Sequence, residues 1–217
     1  MTPAPRHLLR LDAHPLLAPA AWDALAAYGR DLTVVVNVAH GPGSGRDPSY
    51  TAAMTALAEA GVHLLGYLDL AFATRPAAQL LADVGRWCGY PVSGVFLDRA
   101  PASPFAIGPV AVAVQAAQRA GLDLAVLNPG VPPDRTYRDL GAAICVFDGS
   151  WAQYRRWDST GARRGDGHLV YAVPPGELPA ARRLMAARGA GFGLVTDLAP
   201  PEPYAGLPAW CELALVA

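Results

Sequence analysis

The sequence predicts an α/β chain folded as a single (β/α)8 TIM-type barrel over residues 1–217, with some short or irregular helices. Three observations lead there. Eight short apolar runs of strand character alternate with eight helical or turn segments. Most of these runs lack period-two alternation, the pattern of strands buried on both faces as in a parallel sheet. No Pro-, Gly- or Ser-rich linker divides the chain, whose 217 residues suit one domain. Such barrels run from ~200 to over 400 residues, so at this length some helices must be short. A doubly wound open sheet is the alternative architecture for the same alternation.

The first run, His7 to Leu11, ends in Asp12-Ala-His14-Pro15. A helix over Pro19–Tyr28 follows, with proline in its first turn and Gly29 as its stop. Leu32 to Val36 is β-branched and ends in Asn37; the loop Gly41-Pro-Gly-Ser-Gly45 then leads to Asp47-Pro48, a good cap and first helical residue. That helix covers Tyr50–Ala60 and stops at Gly61. Val62 to Asp69 is the third run, followed by Arg75-Pro76 and a helix to about Cys88. Gly94-Val-Phe-Leu-Asp98 is the fourth and most compact run, stopped by Arg99-Ala-Pro101, with a helix over Phe105–Ala120 behind it. Leu122 to Asn128 is the fifth run and Ala142 to Gly149 the sixth. Ser150 then caps a helix that carries Trp151, Tyr154 and Trp157. His168 to Pro174, a helix from about Glu177 to Arg188, and Gly191 to Asp197 complete the alternation, and Leu207 to Trp210 belongs to a short last turn or helix.

Composition narrows the function. A net charge of −1 gives no electrostatic case for nucleic acid or an anionic membrane. No stretch reaches the ~18 to 20 apolar residues of a membrane span. The N-terminus lacks the apolar core of a signal peptide. The expectation is a cytoplasmic protein as given, or a secreted one if a leader was removed. Cys88, Cys145 and Cys211 are odd in number and sit in apolar settings, which predicts buried thiols in a reducing compartment. His14 and His40 find no third ligand at metal-like spacing, so no metal is expected. The glycine loop at 41–45 lacks the Gly-Lys-Ser/Thr ending of a phosphate loop, and no dinucleotide fingerprint is present; no cofactor is expected.

The polar endings of the runs carry the chemistry. The chain has two asparagines, Asn37 and Asn128, and each ends an apolar run. Asp12, Asp69, Asp98, Asp148 and Asp197 end five others, and Tyr171 lies near the end of the seventh. In a barrel these positions converge on one face, giving a pocket with several carboxylates that suits acid/base work on a carbohydrate. Taken singly, a strand-end Asp or Asn more often caps the helix that follows. Asp98 and Asp148 each end a buried strand directly and are assigned to the site. Trp151, three residues past Asp148, is a candidate to stack on a sugar face, although aromatic residues at helical spacing are more often core.

A series of strings extends this reading: Val36-Asn37 with Gly41-Pro42-Gly43, Gly66-Tyr67, Arg75, Trp87, Gly94 to Asp98, Asn128-Pro129-Gly130, Val146-Phe-Asp148 with Tyr154, Val195-Thr-Asp197, and Tyr204 through Trp210. In this order they resemble the spherulation-specific family-four (spherulin-four-like) proteins over almost the whole chain. The resemblance implies a TIM-barrel glycoside hydrolase of α-1,4-linked galactosamine-containing polysaccharides that uses acidic residues at strand ends. It places Asp98 as the first member of the family's Asp-Glu pair, with Arg99 in the place of the glutamate. Asp148 stands where a second acidic residue, usually Glu, is found, and Tyr171 where many members have His. Beside Asp98, the fixed charge of Arg99 is expected to hold the carboxylate ionised and leave proton donation to Asp148. The expected set is therefore Asp98 and Asp148 as catalytic carboxylates. Asp12, His14, Asn37, Tyr67, Asp69, Arg99, Asn128, Trp151, Tyr171 and Asp197 are expected around a carbohydrate or small-molecule ligand. The alternative is a diverged barrel that binds a glycan, or acts on a small intracellular molecule, without hydrolysing the polymer.

Overall fold

A computed structural model describes residues 6–213. Eight parallel strands close in sequence order, with β8 hydrogen-bonded back to β1. They are β1 (Arg6–Leu11), β2 (Leu32–Val36), β3 (His63–Asp69), β4 (Gly94–Asp98), β5 (Leu124–Asn128), β6 (Ala143–Ser150), β7 (Gly167–Tyr171) and β8 (Phe192–Val195). The open doubly wound sheet is thereby excluded. β4 is buried along its whole length, as expected of an apolar run covered on both faces.

The helical layer is α1 (Pro19–Leu25), α2 (Pro48–Glu59), α3 (Ala77–Trp87), α4 (Ile107–Arg119), α5 (Trp151–Arg156), α6 (Leu178–Ala187) and α7 (Ala209–Leu213). Asp47 caps α2 through the Ser49 and Tyr50 amides, and Ser150 caps α5 in a reciprocal pair with Gln153. The expected helix to Tyr28 ends earlier, because the chain tightens into a 3-10 turn over Ala26–Asp31 around Gly29 at φ 51°. Between β5 and β6 only a 3-10 segment, Arg135–Leu140, takes the helical place, one of the economies a barrel of this length requires. The cysteine expectation needs one correction. Cys145 and Cys211 are buried, but Cys88 is exposed where α3 ends.

Two details of the packing position the site. Gly66 lies under the indole of Trp87, where a Cβ would come within 2.3 Å of the ring. That contact lets the Trp87 Nε1–H donate to the Tyr67 carbonyl at 2.9 Å, tying α3 to the upper end of β3. The second is in β6, where the ladder to β7 slips between Cys145 and Phe147. Cys145 pairs with Gly167 and Phe147 with His168, so two steps on β6 match one on β7. Such a bulge reverses the inward and outward parity of everything beyond it. Phe147 packs outward on Tyr154 and Trp157, and Asp148 is left facing into the barrel.

Candidate active site

At the C-terminal ends of the strands, β4, β5 and β6 set Asp98, Asn128 and Asp148 in a row. The Asn128 amide nitrogen donates to both carboxylates, to Asp98 Oδ1 at 2.8 Å and to Asp148 Oδ2 at 2.7 Å. Those bonds fix which way the amide faces, and they leave its carbonyl oxygen buried without a partner among the described residues. One nitrogen serving two oxygens keeps the nearest oxygens of the two carboxylates within about 5.5 Å.

Asp98 is the more enclosed of the pair. Its Oδ2 accepts from the Arg10 guanidinium at 3.0 Å and from the Tyr67 hydroxyl at 2.9 Å. Arg10 reaches across from β1 and also binds Asp12. Its guanidinium carbon lies 4.6 Å from the ring centroids of both Tyr67 and Tyr204, so the cation is held between two aromatic rings. Burial alone would lower the Arg10 pKa, but the Asp12 and Asp98 charges outweigh it and raise it. Burial and the neighbouring Asp98 push the Tyr67 phenol up, so it stays a donor.

Asp148 is set differently. Burial and the negative charge of Asp98 raise its pKa, against the opposing hydrogen bonds from Asn128 and Tyr204. The Tyr204 hydroxyl donates to Asp148 Oδ1 at 3.0 Å. Burial and Asp148 push the Tyr204 phenol well up as well. One carboxyl thus sits beside a fixed cation, and the other is biased toward its protonated form.

Arg99 makes no ion pair with Asp98 despite their adjacency. It turns to the neighbouring loop and pairs with Asp69 through two nitrogens, Nε at 2.8 Å from Oδ1 and Nη2 on Oδ2. Burial pushes the Asp69 carboxyl up, but the bonds from Arg99 and the Ala71 amide outweigh it and hold it below the usual range. Arg99 lies just past the end of β4 with left-handed backbone at φ 49°, and its guanidinium goes to Asp69, so the cation bonded to Asp98 is Arg10 and not its chain neighbour.

The remaining expected residues divide. Asp12, His14 and Asn37 line a cleft of about 650 Å³ with Arg10, Tyr50 and Tyr204. His14 lies edge-on to Tyr50, and Asn37 also holds its own loop by accepting from the Gly41 amide at 3.0 Å. Tyr171 is half-buried at the end of β7. Asp197 does the capping job, accepting from the Ala209 amide at the start of α7 at 2.8 Å. Trp151 is corrected as a stacking platform: it is buried among Phe147, Tyr154 and Leu178, with its indole N–H on Glu177 at 2.8 Å. Sequence reasoning missed Arg10 and Tyr204. Arg10 had a signal, a charge between the buried Leu9 and Leu11 of β1, which requires a buried partner. Tyr204 stood among the strings that carry the family resemblance, but it comes from a loop beyond β8 and ends no apolar run, so the strand-end argument did not assign it to the site.

Among the described residues no three His, Cys, Asp or Glu side chains are grouped to hold a metal, and no helix is long and apolar enough to cross a membrane.

Comparison with known proteins agrees with this architecture. The family described as "Spherulation-specific family 4" has a model that matches residues 11–214. Spherulin-4 of Physarum polycephalum is 34% identical over 157 residues, 65% of this chain and 47% of that protein. The chain therefore spans about half the length of this relative. The crystal structure of Aspergillus clavatus Sph3, solved in complex with GalNAc, superposes with a TM-score of 0.84 at 24% identity, over 99% of this chain and 97% of that one. At that identity the likeness is one of fold.

Proposed function

The chain belongs to spherulation-specific family 4, and from that premise we propose that it is a glycoside hydrolase of α-1,4-linked, galactosamine-containing polysaccharides, working through Asp98 and Asp148. The observation that carries the proposal is the single Asn128 amide bridging two carboxylates with different surroundings. A relative in fold that binds GalNAc supports the sugar class.

Asp98 attacks the anomeric carbon as the glycosidic C–O bond breaks, and Asp148 gives its proton to the departing oxygen. Asp148 then takes a proton from the water that releases the sugar from Asp98. Retaining pairs stand ~5 to 5.5 Å apart, and inverting pairs ~6.5 to 9.5 Å to seat a water between them. An upper bound of about 5.5 Å on the nearest oxygens favours retention. Arg10 and Tyr67 orient the nucleophile. Tyr204, both donor and acceptor, can follow the proton on and off Asp148.

The test is release of reducing ends from partially deacetylated α-1,4-galactosaminogalactan, with Asp98→Asn and Asp148→Asn as controls and the product anomer followed by NMR. Release of the α-anomer by wild type, abolished in Asp98→Asn, supports the proposal. A well-folded wild type that releases nothing overturns it and points to a non-hydrolytic barrel.

A further inference from the structure

The loop between β3 and α3 contains a feature that the carboxylate pair does not explain. Ala71, Phe72 and Ala73 all have left-handed backbone, at φ 45°, 54° and 67°. Three successive non-glycine residues in that region are rare, because Cβ is crowded against the carbonyl in each. Ten glycines take positive φ elsewhere in this chain, yet none is used here. Strain of this kind persists only where surrounding contacts hold it, and it gathers at working sites.

The contacts are specific. The Ala71 amide donates to Asp69 Oδ1 at 2.7 Å, the Ala73 amide to the Leu70 carbonyl at 2.8 Å, and the Phe72 amide to the Arg99 carbonyl at 2.8 Å. Arg99 is itself left-handed at φ 49° and closes the arrangement through its pair with Asp69. All this restraint holds out an apolar ring: Phe72 is 59% exposed, with the Arg99 guanidinium 6.0 Å from its centroid. The loop that carries the ring is tied to the catalytic strand ends. Asp69 is the ladder partner of Asp98, the Leu70 amide donates to the Asp98 carbonyl, and Arg99 follows Asp98 directly.

We propose that Phe72 is a stacking platform for a pyranose ring bound next to the carboxylate pair, with Arg99 as the residue that positions it. This rests on the hydrolase reading above and adds a substrate-binding element to it. A galacto-configured sugar suits the platform, since its axial 4-hydroxyl leaves the C–H bonds of carbons 3, 4 and 5 together on one face. A free amine on the sugar adds attraction to the ring face.

The experiment is calorimetric titration of α-1,4-linked galactosamine oligomers into full-length Asp98→Asn protein, which binds without turnover, with and without changes at Phe72 and Arg99. Phe72→Ala is expected to weaken binding about tenfold at an unchanged thermal midpoint, and Phe72→Trp to restore it. Arg99→Ala is expected to weaken binding by a similar factor, with little further loss in the double variant, since both act through one ring. Equal binding by Phe72→Ala overturns the platform while leaving the hydrolase reading in place. Failure of the parent protein to bind any oligomer overturns the hydrolase reading and the platform with it.

Discussion

Arg10 Nη1 lies 3.0 Å from Asp98 Oδ2, at the end of a side chain that crosses from the first strand toward the fourth between two tyrosine rings. The pair is largely buried, with side-chain exposures of 16% and 10%. A buried cation of this kind orients its carboxylate and fixes the local charge. Arg10→Met is expected to lower kcat by at least about a hundredfold, the scale of removing one preorganised electrostatic contact. It also strands Asp98 as an unpaired buried charge, which costs about 3–5 kcal/mol in stability. Arg10→Lys keeps the charge but loses the flat fork between the rings, so it is expected to fall between the two. Steady-state kinetics and denaturant titration check both parts.

Asp148 sets a pH dependence. Its pKa is raised by burial and by Asp98, so the acid form needed to protonate the leaving group persists above the ordinary carboxylate range. The basic limb of kcat/KM is expected to follow that raised value. Stability has a matching sign: a carboxyl raised in the folded state contributes stability below its unfolded pKa, lost as pH rises through the folded one. Asp148→Asn is expected to abolish activity and to remove this loss from the thermal midpoint measured against pH.

Asn128 tunes the same limb. Its hydrogen bond to Asp148 opposes the upward shift. Asn128→Ala removes that bond, so the basic limb is expected to move to higher pH while kcat falls as the pair loses its common anchor. A limb that stays put or moves down would show that Asp148 is not the titrating acid.

His168 governs stability without touching the site. It is buried, bonds Tyr154 at 2.7 Å, and is pushed down to about 4 by burial. The unfolded chain takes up a proton near pH 6.5 that the folded chain refuses until about 4. Stability is therefore expected to fall as pH drops through that window, by on the order of 3 kcal/mol. His7 is also pushed down to about 4, chiefly by burial, and adds to the same window. His168→Gln, which keeps a partner for Tyr154, is therefore expected to reduce this dependence without abolishing it in thermal melts between pH 4 and 7.

The barrel was legible because its evidence is local. Each buried strand announces itself by an apolar run, and each strand ends where the run meets a polar residue, as at Asp98 and Asn128. Those endings brought the two carboxylates and the asparagine between them to one place with no knowledge of contacts. Capping was equally visible for Asp47 and Ser150, whose partners lie within three residues. Trp151 was harder, because spacing says that an aromatic shares a helix face but not which way that face points.

Which residues stand at the mouth of the barrel follows from the order of residues in the chain, because a strand ends where its apolar run does. How those residues are paired follows from the folded barrel alone. A one-residue bulge turns Asp148 inward, and no composition or period marks where a ladder will slip. Arg10 reaches Asp98 across 88 positions of sequence, and Tyr204 reaches Asp148 across 56. Arg99, next to Asp98 in the chain, serves Asp69 instead. Neighbours along the chain need not be partners, whereas closure of the barrel brings distant side chains together, so the charges that govern each carboxylate are set by closure.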